Sequence, residues 1–294
     1  MSNFSRRRAI SLGAVGAAGI AAAVTQGKKA IGQTQPISQP EVNPNGEFAD
    51  KVVLITGATS GIGEAAARAF AAQGATVHFC GRRQELGQQV AQSIVEAGGK
   101  ASYQPADVRN EGEVKAFVDG CIDRYGKIDI AFNNAGIAPP PAALADTTVD
   151  MWDNVMSTNI RGIFLAMKYQ IPQMVTQGGG AIVNMSSLGG HEVFPNISPY
   201  HASKFAVEAI TKAAAKEYAA QNIRVNAIAP GLVDTAMTDR QVKDWEVSRE
   251  DLASGFPLNR ISSPEEQVRV VMFMSSPAAS YMTGAVVSVD GGGA

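Results

Sequence analysis

The chain has 294 residues, 45% of them hydrophobic, and a net charge of −2, which is ample for a sizeable buried core. With 6% aromatic residues and no basic stripe or stacking platform, it lacks the footprint of a nucleic-acid binder. Three scattered histidines and two distant cysteines, Cys80 and Cys121, give no metal-ligand spacing, so no metal is expected and the cysteines read as core residues rather than a disulfide.

Residues 1–27 begin with Ser5-Arg6-Arg7-Arg8-Ala9-Ile10-Ser11-Leu12 and continue into an uncharged Gly/Ala-rich stretch that reaches Val24. This segment resembles a twin-arginine export signal, with Ala21-Ala22-Ala23 as a cleavage site, and implies a periplasmic protein. Its apolar part is too short and weakly hydrophobic for a stable membrane span. The alternative is a basic tail or uncleaved leader on a cytoplasmic protein. Residues 28–48, rich in Gln, Pro and Asn, read as a flexible linker, and 49–294 as one folded domain.

Lys51-Val52-Val53-Leu54-Ile55-Thr56 has the β-branched, apolar composition of a buried parallel strand. Gly57-Ala58-Thr59-Ser60-Gly61-Ile62-Gly63 follows at once and opens an alanine-rich helix that closes at Gln73-Gly74. In a strand–turn–helix setting the glycines serve a tight turn, the close approach of a pyrophosphate and helix–strand contact, while helix-start amides receive the anion. Gly57, Ser60, Gly61, Ile62 and Gly63 are therefore candidate cofactor contacts. A second strand is expected at Ala75–Cys80, followed by Gly81-Arg82-Arg83, with further runs at Ile128–Phe132, Ala181–Met185 and Arg224–Ala229. Strands alternating with helices call for an α/β fold: a parallel sheet, doubly wound, with helices on both faces. Ligands in such a sheet sit at the strands' carboxyl ends, where Gly57, Asp107, Asn134, Ser187 and Pro230 fall.

Tyr200 and Lys204, four residues apart on a predicted helix, project from one face. An ammonium beside a phenol favours the phenolate, so the pair can act as a general acid and base. His201 points elsewhere on that helix and is not expected to serve as the base.

The spacing Thr56-Gly57-x3-Gly61-x-Gly63, joined to Tyr200-x3-Lys204, resembles the short-chain dehydrogenase/reductase family, and the resemblance runs from Lys51 to the C-terminus. It implies a single Rossmann-type domain and an NAD(P)-dependent oxidoreductase acting between a secondary alcohol and its carbonyl. Asp107 and Val108 match the pair that contacts adenine. Asn134, Ala135 and Gly136, in Asn133-Asn134-Ala135-Gly136, match a segment that supports the sheet and lines the cofactor site. Asn159 falls where the family keeps a proton-relay asparagine, and Ser187 stands thirteen residues before Tyr200, the family's usual interval. Pro230, Gly231, Val233 and Thr235 resemble the loop that holds the nicotinamide carboxamide. The implied catalytic set is Asn159, Ser187, Tyr200 and Lys204, with Tyr200 and Lys204 also touching the cofactor. A homo-oligomer, dimer or tetramer, is implied as well.

After the second strand, an acidic residue would bind the adenosine ribose and reject a phosphate; here Gly81 is followed by Arg82 and Arg83. Guanidinium groups suit a 2′-phosphate, so NADP(H) is expected, with NAD(H) possible if the arginines only solvate a helix start. The segment from Asp234 to Pro264 reads as a polar, irregular lid, with Met237, Trp245 and Phe256 as apolar contacts and Phe194 as another. His191, Glu192 and Asn196 are candidates to hydrogen-bond a polyol. Three readings stand: an alcohol dehydrogenase or carbonyl reductase, a 3-oxoacyl thioester reductase, and a catalytically silent NADP-binding regulatory protein.

Overall fold

Val52–Thr56 (β1) is buried along its whole length, as its β-branched composition requires of a strand covered on both faces. The computed structural model describes residues 36–293; the expected export signal and the start of the linker lie outside the described residues. Six further strands follow: β2 (Thr76–Gly81), β3 (Lys100–Pro105), β4 (Ile130–Asn133), β5 (Gly180–Met185), β6 (Ile223–Pro230) and β7 (Val286–Val289). They form one sheet in the order β3-β2-β1-β4-β5-β6-β7, with every pairing parallel. The order reverses between β1 and β4, which opens a crevice at their carboxyl ends.

The helices are α1 (Gly61–Ala72), α2 (Gln84–Glu96), α3 (Glu111–Tyr125), α4 (Val149–Met156), α5 (Gly162–Thr176), α6 (Ser198–Tyr218), α7 (Ala236–Trp245), α8 (Arg249–Ser254) and α9 (Pro264–Ser275). Strand alternation decides which face each covers. Val53, Ile55, Val77 and Phe79 pack with Phe70 of α1, Ile94 of α2 and Val271 of α9. Val52, Leu54 and Val225 point the other way, onto Phe117 of α3, Met167 of α5 and Val207 of α6. Cys80 and Cys121 belong to this second core, and burial pushes both thiols up to about 12, which makes them inert packing residues. No helix among the described residues is long and apolar enough to cross a membrane.

The end of the expected linker is anchored. Phe48 is buried edge-on against Phe70 with ring centroids 4.9 Å apart, Ile37 packs on the same core, and Gln39 accepts from Arg68 at 2.7 Å. Its polar composition pointed to free chain; two apolar side chains hold it down instead. The 234–264 segment also differs from the expected irregular lid, since it folds into α7 and α8. Ser248 and Asp251 form a capping box that starts α8, and Ser263 and Glu266 form another that starts α9.

Beneath the crevice a buried amide network ties strands to helices. Asn133 of β4 exchanges hydrogen bonds with Gln170 of α5 and donates to Asn184 of β5, which donates to Thr211 of α6. Losing one member would leave a partner unsatisfied at about 1–3 kcal/mol.

His78 on β2 is stacked on Phe117 (5.0 Å between centroids), with Nδ1 2.7 Å from the Ser102 hydroxyl and Nε2 buried without a partner. Burial lowers its pKa from 6.5 to about 4. The unfolded chain therefore takes up a proton between those values that the folded protein refuses, so this site's stability is complete above pH 6.5 and is lost as pH falls toward 4. We expect the stability gap between the protein and His78→Gln, read from urea unfolding, to narrow by about 2 kcal/mol from pH 7 to 4.5, at about 1.4 kcal/mol per pKa unit; a constant gap would show that the imidazole stays solvated.

Candidate active site

The turn after β1 comes close to β4. Gly57 has a positive φ of 71°, and a Cβ there would lie 2.7 Å from the Ala135 Cα; at Gly63 a Cβ would meet the Gly57 carbonyl at 2.4 Å. Only glycine fits both places. Asn134 fixes the approach, donating from Nδ2 to the carbonyls of Thr56 and Gly57 at 3.1 and 3.0 Å, while the Thr56 hydroxyl accepts from the amides of Asn134 and Ala135. Ser60, the residue before α1, makes no side-chain capping bond. The Thr235 methyl would stand 3.1 Å from a Cβ on Gly61, so the Pro230–Thr235 loop reaches across the start of α1. Glycine turn, Asn134–Gly136 and the Gly231–Thr235 loop are thus brought to one place.

Asp107, which follows β3, has both carboxylate oxygens taken by Arg109, whose hydrogen bonds hold that carboxyl below its usual range. Arg109 also donates to Asn154 of α4 at 3.0 Å. Sequence reasoning missed this arginine, because its role depends on a fold contact 45 residues away. Val108 is buried, and its side chain lies against the backbone of Gly162.

After β2, Arg83 donates to the Thr59 hydroxyl at 2.8 Å and to that of Ser60 at 2.5 Å, while Arg82 is exposed. A Cβ at Gly81 would strike the Thr59 methyl at 2.6 Å, so an acidic side chain there would displace Thr59.

Three parts of the fold carry the expected catalytic residues: α6, the turn before α5 and the segment after β5. Lys204 of α6 is buried and donates to the Met185 carbonyl at the end of β5, at 2.8 Å. Asn159 lies in a π-helical turn, Ser157–Arg161, between α4 and α5; its amide accepts from Ile137 N–H at 2.8 Å and donates to the Ile137 carbonyl and the Ser203 hydroxyl. Such turns concentrate at functional positions. A Cβ at Gly136 would be 3.4 Å from Asn159 Oδ1 and 3.5 Å from Lys204 Nζ, so this glycine lies between the two. Ser187 follows β5, where its hydroxyl accepts from Gly189 N–H at 3.1 Å, and it acts on the Tyr200 phenol by lowering its pKa.

The electrostatics differ from expectation in one respect. Burial pushes the Tyr200 phenol above its ordinary value, opposed by the Ser187 hydroxyl, whereas Lys204 was expected to draw it down. The reason is that Lys204 is itself desolvated, lowered to about 8, and directs its ammonium at Met185 while sitting 5.6 Å from the Tyr200 ring centroid.

Other candidates are used within the protein. His191 Nδ1 lies 3.1 Å from the Glu208 carboxylate and Nε2 3.3 Å from the Ser288 hydroxyl. Phe256 packs under Gly231 and Gly293, and Asn196, at φ 72°, accepts from Ala142 N–H through its carbonyl. Glu192, Val193 and Phe194 are exposed.

Residues 57–293 match a family model described as enoyl-(acyl carrier protein) reductase. A 3β-hydroxysteroid dehydrogenase from Mediterraneibacter gnavus is 37% identical over 84% of this chain and 96% of its own. A 3-oxoacyl-[acyl-carrier-protein] reductase from Thermotoga maritima is 40% identical over 82% of this chain and 97% of its own. Among solved structures, an NAD⁺-bound xylitol dehydrogenase superposes with a TM-score of 0.80 at 34% identity, covering 84% of this chain and 100% of that one. The chain belongs to the short-chain dehydrogenase/reductase family. It is an NAD(P)-dependent oxidoreductase that acts on the CH–OH group of a small-molecule substrate or on the matching carbonyl.

Proposed function

We propose that the chain is an NADP(H)-linked alcohol dehydrogenase or carbonyl reductase whose acid/base machinery is Ser187, Tyr200, Lys204 and Asn159. The observation that carries this reading is the buried Lys204, held on the Met185 carbonyl 5.6 Å from the Tyr200 ring centroid and reaching the same Gly136 backbone as Asn159. A bound nicotinamide supplies or accepts the hydride. Ser187 donates to the substrate oxygen, and Tyr200 Oη gives up its proton as that oxygen gains charge. Because burial keeps the phenol above its ordinary value, Tyr200 is protonated at neutral pH and ready to act as an acid, which favours carbonyl reduction there. Lys204 binds ribose hydroxyls, and Asn159 connects the proton to solvent.

The fit for a dinucleotide rests on the glycine cradle. Gly57, Ser60, Gly61, Ile62 and Gly63 would hold the pyrophosphate, supported by the turn that no Cβ can enter and by the uncapped start of α1. Asp107 and Val108 would flank adenine, Asn134, Ala135 and Gly136 would line the cofactor site, and Pro230, Gly231, Val233 and Thr235 would hold the carboxamide. Arg83, set on the hydroxyls of Thr59 and Ser60, and the exposed Arg82 supply the charge for a 2′-phosphate, and Thr59 keeps a carboxylate out of position 81. The steroid, thioester and polyol named among its relatives set the substrate panel. A homo-oligomer and export through the Arg6-Arg7-Arg8 signal complete the reading.

Three measurements check it. With cyclohexanone, a 3-oxosteroid, a 3-oxoacyl thioester and xylitol as substrates, Tyr200→Phe is expected to lower turnover by about 10³-fold while melting temperature and cofactor affinity stay put; retained activity would refute the acid/base assignment. KM is expected to be at least tenfold lower for NADPH than for NADH, and Arg83→Ala should remove most of that preference; equal constants would leave the arginines as solvated surface. In the exported protein, N-terminal sequencing should find the chain starting after Ala23, whereas an intact Met1 on a cytoplasmic protein would end the export reading.

A further inference from the structure

Between Tyr200 and Lys204 lies an imidazole that the acid/base chemistry leaves unused. His201 is only 6% exposed, yet both its ring nitrogens have partners, and none of them is on its own helix. Nδ1 lies 2.9 Å from the Gly189 carbonyl; Nε2 lies 2.8 Å from the amide nitrogen of Phe194 and 3.0 Å from its carbonyl oxygen. One neutral tautomer suits the first two contacts: Nδ1–H donates to Gly189, and Nε2 accepts from Phe194 N–H. The strand-to-helix segment that starts at Ser187 is thereby curled around the ring. Its backbone is also pressed close, since a Cβ on Gly189 would stand 3.1 Å from His201 Nδ1 and 3.2 Å from Tyr200 Cε1.

A second anchor holds the same segment from the same helix. Glu208 accepts from the Ser186 hydroxyl at 2.9 Å and meets His191 Nδ1 at 3.1 Å. A Cβ on Gly190 would fall 2.3 Å from its carboxylate oxygen. Glu208 thus fixes Ser186, just before Ser187, and His191; His201 fixes Gly189 and Phe194, whose ring is tilted against the imidazole at 5.7 Å between centroids, and Val193 beside it is exposed.

We infer that His201 is a positioning residue for the carbonyl substrate: by gripping Gly189 and Phe194 it sets where the Ser187 hydroxyl and the Val193–Phe194 edge stand relative to Tyr200. The inference rests on the acid/base reading of Ser187 and Tyr200 and adds to it the device that aligns one with the other. The glycine turn, the Asn134–Gly136 segment and the Pro230–Thr235 loop lie elsewhere, and Lys204 on the same helix has its own anchor on the Met185 carbonyl, so His201 should govern substrate far more than the dinucleotide.

The test compares His201→Met, which fills similar volume without the hydrogen bonds, with His201→Gln, which keeps one donor and one acceptor. NADPH and the fastest carbonyl compound of the panel above are the probes. His201→Met is expected to lower kcat/KM for the carbonyl compound by about 10- to 100-fold, the cost of misplacing a reacting group by roughly an ångström, chiefly through KM. The NADPH dissociation constant should stay within about twofold of the parent's, and His201→Gln should recover most of the loss. A substrate KM unchanged in His201→Met, with any rate loss matching the fraction unfolded, would overturn the inference, as would a His201→Gln variant no better than His201→Met. If His201→Met does not fold, His201→Asn, too short to reach both partners, is expected to fall between Gln and the Met prediction; parent-like KM there is the overturning result. Failure of the acid/base reading looks different, since it shows as parent-like turnover in Tyr200→Phe.

Discussion

A buried ammonium with a single carbonyl acceptor sets the geometry of this crevice. Lys204 has been taken out of water, and its contact with the Met185 carbonyl compensates only in part, which is why its pKa falls to about 8. The contact joins α6 to the last residue of β5. Ser186 and Ser187 come next in the chain, so the bond that satisfies the lysine also fixes the separation between the hydroxyl after β5 and the phenol one turn before Lys204. Gly136 lies where Lys204 and Asn159 approach the same stretch of backbone.

The sheet order and the crevice follow from patterns that the sequence displays openly. β1 is a nearly continuous apolar run and β6 an apolar strand interrupted by Arg224 and Asn226, and their carboxyl ends carry Gly57 and Pro230, so a parallel sheet with a ligand edge could be read without coordinates. Tyr200 and Lys204 share a helix face by their spacing, whereas Ser187 and Asn159 were expected only through the family resemblance, since nothing in their local sequence sets them near α6. What was illegible depends on long-range placement. Arg109 matters only because the turn after β3 meets Asn154 of α4, and the anchoring of Phe48 only because it packs edge to face with Phe70. The helices in the 234–264 segment did leave a local signal: Ser248-x-x-Asp251 and Ser263-Pro264-x-Glu266 are capping sequences, obscured by a polar composition that suggested loop.

Buried polarity here divides into two kinds. The Asn133–Gln170–Asn184–Thr211 network is closed, with each amide supplying what its neighbour needs, and it stiffens the floor beneath the crevice. His78 and Lys204 are open cases in which a titratable group is buried without a counter-charge, so both are pushed toward their neutral forms. His78 lies in the packed layer between β2 and α3, where neutrality serves only packing. Lys204 lies at the crevice, where it keeps its charge at neutral pH but holds it less firmly, and that bears on chemistry.

Desolvation acts on Tyr200 and Lys204 in opposite senses on the pKa scale and in the same sense on charge: the phenol rises, the amine falls, and each resists ionisation. A tyrosine so placed holds its proton until another charge develops beside it, which is the condition for an acid that acts late rather than one that ionises at rest. The neighbouring Ser187 hydroxyl works against that resistance, because a hydroxyl able to donate to the phenolic oxygen favours the phenolate. Small changes in the position of Ser187 therefore alter both the contact with a substrate oxygen and the readiness of Tyr200 to release its proton. One helix carries the phenol, the lysine and the two side chains that hold the Ser186–Phe194 segment, so the acid and the group that tunes it move as a single body.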